Sequence, residues 1–139
     1  MTTKTKITIE TTVNAPVEKA WKLWNEPSAI NEWCTATPEW HTINATNDLK
    51  VGGKFSSRME AKDGSFGFDF GGVYDVVKLH EQINYTMGDS RTVAISFSKE
   101  GNETKIVEIF EAEDQNPVEM QQMGWQAILN NFKSYVENH

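Results

Sequence analysis

The sequence predicts an α+β fold, in which a curved antiparallel sheet of seven strands packs against one long C-terminal helix and two short helices follow the first strand. Three observations support this prediction. Residues 117–138 repeat apolar side chains at helical spacing, residues 39–112 alternate apolar and polar side chains, and only short turns interrupt that alternation. Strands joined by such turns must be antiparallel neighbours. A single domain over residues 1–139 is therefore expected.

The chain is expected to begin with a strand and a pair of short helices. Lys4 to Val13 alternates polar and apolar side chains, which is typical of a half-buried strand. Pro16 suits the first turn of a helix that Pro27 ends, and a second short helix is expected over Ser28–Glu32. The apolar face of the first helix consists of Val17, Ala20, Trp21 and Trp24. Both helices are too short to be stable alone, so they must pack on the rest of the fold.

Six further strands are expected after residue 38. Their predicted ranges are Glu39–Thr46, Gly53–Ala61, Ser65–Leu79, Gln82–Met87, Thr92–Ser98 and Thr104–Ala112. One face of these strands carries mainly aromatic, Met and Ile side chains, and this face is expected to contact the terminal helix. Gly71 and Gly72 lie inside the longest strand, where glycine is unfavourable unless the strand bends. A bulge or kink is therefore expected at these two glycines.

Pro117 to Asn138 is expected to form the long amphipathic helix. Its apolar stripe consists of Val118, Trp125, Ile128, Leu129, Phe132, Tyr135 and Val136. Met120 and Met123 occupy a second edge of its first half, and their flexible side chains adapt to irregular neighbours. Two interpretations stay open for this edge. The methionines either fill an irregular part of the core or cover a cavity between helix and sheet.

Composition and charge exclude several classes of function. The chain has 13 Lys and Arg against 20 Asp and Glu, and the resulting net charge of -7 disfavours binding to nucleic acid or to an anionic membrane surface. A single cysteine, Cys34, excludes an internal disulfide and a multi-cysteine metal site. No stretch is apolar and long enough to cross a membrane, and the first ten residues do not resemble a secretion signal. A cytoplasmic protein without membrane insertion is expected.

The sequence shows no catalytic constellation. His41, His80 and His139 lack the spacing of metal ligands, and no serine lies in a nucleophile elbow, so we predict no catalytic residue, no metal and no cofactor. Glu108 alternates with apolar residues on a predicted strand, which leaves open whether its side chain is exposed or faces a cavity. A buried Glu108 beside a tyrosine could act as a general acid or base with a raised pKa. Cys34 has no cationic neighbour in sequence and receives no catalytic role.

Short motifs along nearly the whole chain resemble those of a known family. The most specific is the run Asp48 to Phe55, DLKVGGKF, and the weaker ones are Ala15-Pro16-Val17 before Trp21, Glu26-Pro27 before Trp33, Gly72 to Val76, Thr104 to Ile106 and Gly124-Trp125. Through them the chain resembles the activator of Hsp90 ATPase homologue 1-like family of the START and Bet v 1-like superfamily, also called SRPBCC. This resemblance implies the helix-grip fold. It leaves function open, because the superfamily includes binding proteins, transporters, cyclases and chaperone activators.

We expect the hollow between sheet and helix to bind a small hydrophobic or amphipathic molecule, such as a lipid, a sterol-like or a polyketide-like aromatic compound. The residues expected to line it are Trp33 at the mouth, Phe68, Phe70, Tyr74, Tyr85 and Met87 from the sheet, and Met120 and Met123 from the helix. Two other functions stay open: a cyclase- or hydrolase-like enzyme acting in the same cavity, which is less favoured, and a chaperone-activator-like interaction module. An ionisable group inside the cavity would favour the enzyme, and a filled core with an exposed apolar patch would favour the interaction module.

Overall fold

The computed structural model of the protein describes residues 5–139, and its elements follow one another in the predicted order. They are β1 (Lys6–Val13), α1 (Val17–Asn25), α2 (Pro27–Trp33), β2 (Trp40–Asn47), β3 (Lys54–Ala61), β4 (Gly67–Lys78), β5 (Gln82–Met87), β6 (Thr92–Glu100), β7 (Glu103–Glu111) and α3 (Val118–Glu137). The predicted helix-grip fold class is confirmed. The expected start of the first strand, Lys4, lies outside the described residues.

The seven strands form one antiparallel sheet that curls into a half-barrel around α3. Their order across the sheet is β1-β7-β6-β5-β4-β3-β2, so each strand from β2 to β6 pairs with the next one along the chain. The first strand joins at the far edge by pairing with β7. Because β1 and β2 lie at opposite edges, α1 and α2 connect one edge to the other. The antiparallel neighbours that were predicted from the short turns after β2 are therefore correct.

Two irregularities in strand pairing accompany the curl of the sheet. The pairing of β4 with β5 shifts register between Tyr74 and Val76, and the pairing of β2 with β3 shifts between Ile43 and Thr46. An extra residue on one strand bends that strand and increases its local twist. Both shifts lie in the half of the sheet that is remote from β1. The curvature of this half follows from these bulges.

The bulge expected at Gly71 and Gly72 lies elsewhere, because both glycines pair with β3 in regular register. Their role is close approach of the neighbouring backbone. A Cβ atom at Gly71 would lie 2.4 Å from the carbonyl oxygen of Phe55, and one at Gly72 would lie 2.6 Å from that of Thr86. Phe55 belongs to β3 and Thr86 to β5, so β4 can approach both neighbouring strands this closely only because Gly71 and Gly72 have no side chain.

α3 is held differently along its length. Leu129, Phe132 and Val136 in its second half are buried, whereas in its first turns only Gln121 is. Phe132 packs edge to face on Trp24 of α1 and on Trp33 of α2, with ring-centroid distances of 4.8 and 4.9 Å. The second half of α3 thus holds α1 and α2 in place. Among residues 5–139, no helix is long and apolar enough to span a membrane.

Candidate functional site

A cavity of about 330 Å³ lies between the concave face of the sheet and α3. Its walls are mainly apolar and aromatic, and their large side chains include Trp24, Ile30, Phe55, Met59, Ile83, Ile95, Trp125, Ile128 and Leu129. Trp125 stacks on Phe110 of β7 with a centroid distance of 4.0 Å, which fixes the indole as part of the wall. A cavity of this size and composition is typical of a site for a small molecule.

Five of the eight side chains expected to line the cavity do so: Trp33, Phe68, Phe70, Tyr74 and Tyr85. Trp33, however, is buried and hydrogen-bonds the carbonyl oxygen of Leu23 through Nε1 at 3.0 Å, so it is part of the inner wall and not of the mouth. Phe68 is 41% exposed and marks a place where the cavity wall meets solvent. Met87 is buried in the core but does not line the cavity.

The positions expected for Met120 and Met123 are corrected by the structure. Their side chains are 58% and 73% exposed, and neither lines the cavity. The helix faces the cavity with Gln121, Trp125 and Ile128, which share one face because they are four and three residues apart. The two methionines therefore lie on the opposite, solvent-facing side of α3.

Gln121 is a lining residue that sequence reasoning missed. Its side chain is buried and holds the loop before α3 to the helix: Oε1 accepts a hydrogen bond from the backbone N–H of Glu113 at 2.9 Å, and Nε2 donates to the carbonyl oxygens of Glu113 and Asn116 at 3.1 and 2.8 Å. The loop residues Glu113 and Asn116 also line this end of the cavity. The position of Gln121, four residues before Trp125 on the apolar stripe, was the signal that could have identified it.

Replacing Gln121 with leucine is expected to destabilise the protein by about 1 to 3 kcal/mol, because the change keeps the size of the side chain but leaves backbone groups of the loop without partners. Urea unfolding measures the effect. The control is Gln122→Leu at the neighbouring exposed position, which should change stability by less than about 0.5 kcal/mol. Equal effects at both positions would contradict the role assigned to the Gln121 hydrogen bonds.

Glu108 faces the cavity, which answers the question that the sequence left open. It pairs with Ile9 of β1 and with Ile95 of β6, and all three side chains lie on the concave face. The residue is only 6% exposed and lines the cavity. Burial raises the pKa of its carboxyl group from 4.5 to about 8. At neutral pH the carboxyl group is therefore mostly protonated and uncharged.

Two further acidic groups lie close enough to Glu108 to interact with its charge. Burial, and secondarily the charge of Glu108, raises the pKa of the Tyr85 hydroxyl well above its ordinary value. The same two causes raise the pKa of the Cys34 thiol to about 12. Both residues line the cavity. The three groups consequently carry their protons at neutral pH, and Cys34 is not an activated nucleophile.

Metal coordination is not supported by the described part of the chain. Among residues 5–139 no group of three or more His, Cys, Asp or Glu side chains could hold a metal ion. The histidines lie apart in different surroundings: His41 is 3.2 Å from the Glu60 carboxylate, His80 packs edge to face on Trp21, and His139 stacks on Tyr135.

Comparisons with known proteins give a consistent result. The profile of the family described as activator of Hsp90 ATPase homolog 1-like protein matches residues 14–137. The solution structure of a protein from Cytophaga hutchinsonii is 61% identical, with a TM-score of 0.84 over 96% of this chain and 92% of that one. The solution structure of an AHSA1-like protein from Aeromonas hydrophila is 42% identical, with a TM-score of 0.90 over 96% and 93%. A search among curated proteins finds no match.

Similarity of fold extends to proteins that share little sequence. A crystal structure of a protein from Chromobacterium violaceum is 22% identical, with a TM-score of 0.86 over 96% of this chain and 98% of that one. At this identity the comparison shows a shared fold and nothing about function.

Proposed function

The chain belongs to the activator of Hsp90 ATPase homolog 1-like family, and we propose that it binds a small hydrophobic or amphipathic molecule in the cavity between the sheet and α3. The family and its START-like fold are consistent with ligand binding and equally with a chaperone-activator-like module. The observation that favours binding is the cavity itself, with its volume of about 330 Å³ and its mainly apolar and aromatic walls.

A cavity of this kind is costly for a protein that does not use it. Protein interiors normally pack to the density of organic crystals and leave few voids larger than a water molecule. An apolar void lowers stability, because the groups around it lose contacts that a filled core would make.

The walls of the cavity contain aromatic pairs. Phe55 and Tyr85 contact each other edge to face at a centroid distance of 4.7 Å, and Phe70 contacts Trp125 at 6.2 Å. Such walls suit a ligand with a flat ring system.

The exposed aromatic side chains near the β3–β4 turn support the second candidate, an interaction module. Phe66 is 63% exposed, and Trp40, Phe66 and Phe68 form a cluster with ring-centroid distances of 6.0 to 6.4 Å. Exposed apolar groups often mark interaction sites. Phe68 belongs both to this cluster and to the cavity wall, so the cluster lies at the edge of the cavity. We therefore favour a role in ligand entry over an independent docking surface.

A cyclase- or hydrolase-like activity in the same cavity stays a prediction. Glu108 supplies an ionisable group inside the cavity, and its raised pKa suits a general acid. The pKa values of Tyr85 and Cys34 are raised far above neutral, so both groups already carry their protons at neutral pH and neither can act as a general base. The cytoplasmic location expected from the sequence also stays a prediction.

The proposal is tested by titrating the protein with N-phenyl-1-naphthylamine, an uncharged dye whose fluorescence rises in apolar surroundings. Saturable binding of one dye per protein is expected, with quenching of the tryptophans in the wall. Ser57 is small and lines the cavity, so Ser57→Phe should fill the space and weaken dye binding at least about tenfold. Circular dichroism verifies that the variant is folded.

The matched control is Ser56→Phe, which places the same side chain on the exposed face of the same strand. It should leave the dissociation constant within about twofold of wild type. Absence of saturable binding to the wild-type protein, or equal losses in the two variants, would refute the proposal and favour the interaction module.

A further inference from the structure

We propose that the ligand carries an uncharged hydrogen-bond acceptor, such as a ketone, aldehyde or ester oxygen, which accepts hydrogen bonds from the Glu108 carboxyl group and the Tyr85 hydroxyl group. This inference rests on the proposed function, since it names the polar group of the molecule that the apolar walls would surround.

Glu108 occupies the floor of the cavity. The strand β7 lies between β1 and β6, and Trp125 of α3 stacks on Phe110 of its concave side. The neighbours of Glu108 on the same face of β7 are Ile106 and Phe110, which are fully buried, and its cross-strand neighbours are Ile9 and Ile95. A carboxyl group in this position is surrounded by apolar side chains on four sides.

The carboxyl group has no hydrogen-bond partner within residues 5–139, and neither has the Tyr85 hydroxyl. Every described side-chain nitrogen or oxygen that is fully enclosed by protein does have a partner. Both groups therefore border the open space of the cavity. A buried polar group without a partner is costly, and native proteins satisfy nearly all such groups. A ligand oxygen placed between the two would satisfy both.

In the part of the chain that the structure describes, no charged group forms an ion pair with Glu108. The titratable residues that line the cavity with it are Cys34, Tyr74, Tyr85, Arg91 and Glu113. The Arg91 guanidinium is 2.7 Å from the Asp89 carboxylate, and the Glu113 carboxylate accepts hydrogen bonds from the loop that follows it. The strands beside Glu108 present Ile9 and Ile95 to it. From α3 the cavity is lined by Gln121, Trp125, Ile128 and Leu129, of which none is charged, and the Gln121 amide is hydrogen-bonded to Glu113 and Asn116.

The proton on Glu108 decides which ligand chemistry fits. With a pKa of about 8 the group is an uncharged donor at neutral pH, as Tyr85 is. A carboxylic acid that its apolar surroundings keep neutral can hold a carbonyl oxygen together with a tyrosine hydroxyl. Within residues 5–139, the cation that lines the cavity is Arg91, and its pairing with Asp89 leaves no unpaired cation there for an anionic ligand. An amine would require ionisation of Glu108 inside an apolar cavity, which is costly. An uncharged acceptor oxygen needs neither a cation in the cavity nor the ionisation of Glu108.

The test uses three naphthalenes of nearly equal size, which compete with bound N-phenyl-1-naphthylamine: 2-acetylnaphthalene, 2-ethylnaphthalene and 1-(2-naphthyl)ethylamine. The dissociation constant of each compound is measured for the wild-type protein, for Glu108→Leu and for Glu108→Gln at pH 6 to 9.5. Comparing each ligand across variants cancels its own hydrophobicity, so the ratio reports the interaction with the side chain at position 108.

The expected result is that Glu108→Leu weakens the binding of 2-acetylnaphthalene by about three- to tenfold, the range of one hydrogen bond, and does not weaken the binding of 2-ethylnaphthalene. Glu108→Gln keeps an N–H donor and should retain most of the affinity for the ketone. Wild-type affinity for the ketone should fall as pH rises above about 8, where the carboxyl group loses its proton, and the Gln variant should show no such fall. Tyr85→Phe should also weaken the binding of 2-acetylnaphthalene and leave the binding of 2-ethylnaphthalene unchanged.

Equal losses of the acetyl and ethyl compounds in Glu108→Leu would overturn the inference, and so would a ketone affinity that does not change with pH. Tightest binding of the amine, with an optimum near pH 8 to 9, would instead identify an ion-pair site. The pH series on wild type needs no substitution, so it remains decisive if Glu108→Leu does not fold. Failure of the dye to bind at all would reject the proposed function, which is a different outcome.

Discussion

Replacing Phe132 with alanine is expected to destabilise the protein by about 3 to 5 kcal/mol, the usual range for removing a fully buried aromatic side chain. Phe132 is 0% exposed, and it contacts both Trp24 and Trp33 edge to face. Its loss would leave a cavity where α3 meets α1 and α2. Because these two helices are too short to be stable alone, their packing on α3 is what keeps them ordered.

Urea unfolding followed by far-ultraviolet circular dichroism measures this effect without relying on the tryptophans beside Phe132. Met120→Ala is the matched control on the same helix. Met120 is largely exposed, so its loss should change stability by less than about 0.5 kcal/mol. A loss below about 1 kcal/mol for Phe132→Ala would show that the aromatic cluster contributes little to stability.

The sheet and the second half of α3 could be predicted from the sequence because local pattern and tertiary packing agree there. Strand alternation and short turns fix antiparallel neighbours without knowledge of distant contacts. The stripe from Trp125 to Val136 faces the sheet as predicted, with Leu129, Phe132 and Val136 buried. The lining positions of Phe70, Tyr74 and Tyr85 follow from the same alternation.

In the first half of α3 the predicted cavity-facing side was wrong, because hydrophobicity indicated the wrong face. Met120 and Met123 are apolar but exposed, and Gln121 is polar but buried. Gln121 is stabilised inside by three hydrogen bonds to loop atoms, and those contacts are not visible in the sequence pattern. Helical phase counted back from Trp125 was the better guide.

The orientation of Glu108 was ambiguous for a different reason. Its strand carries apolar residues on both faces: Ile106 and Phe110 point into the core, while Ile109 is partly exposed on the outer face. Strand alternation identifies which residues share a face but cannot say which face is inside when both are apolar. The pairing of Glu108 with Ile9 and Ile95 supplies the missing information.

The buried carboxyl group of Glu108 should make stability depend strongly on pH. Its pKa is about 8 in the folded protein against 4.5 for an ordinary glutamate, so between these values the folded state binds a proton that the unfolded chain has lost. The free energy of unfolding must therefore fall as pH rises from about 4.5 to about 8. At 1.36 kcal/mol per pKa unit, the total loss due to Glu108 is roughly 3 to 6 kcal/mol above pH 8.

Glu108→Gln removes this titration while it keeps the size of the side chain, so above about pH 5 the variant is expected to be more stable than wild type, and increasingly so as pH rises. The difference should widen by roughly 3 to 5 kcal/mol between pH 5 and pH 9. Urea unfolding of both proteins across this range measures it, and taking the difference cancels the contributions of all other titrating groups. Glu103→Gln, at an exposed position of the same strand, should differ from wild type by less than about 0.5 kcal/mol at both pH values. A constant difference between Glu108→Gln and wild type would mean that Glu108 ionises normally in the folded protein, and it could then not hold an acceptor oxygen as a neutral donor.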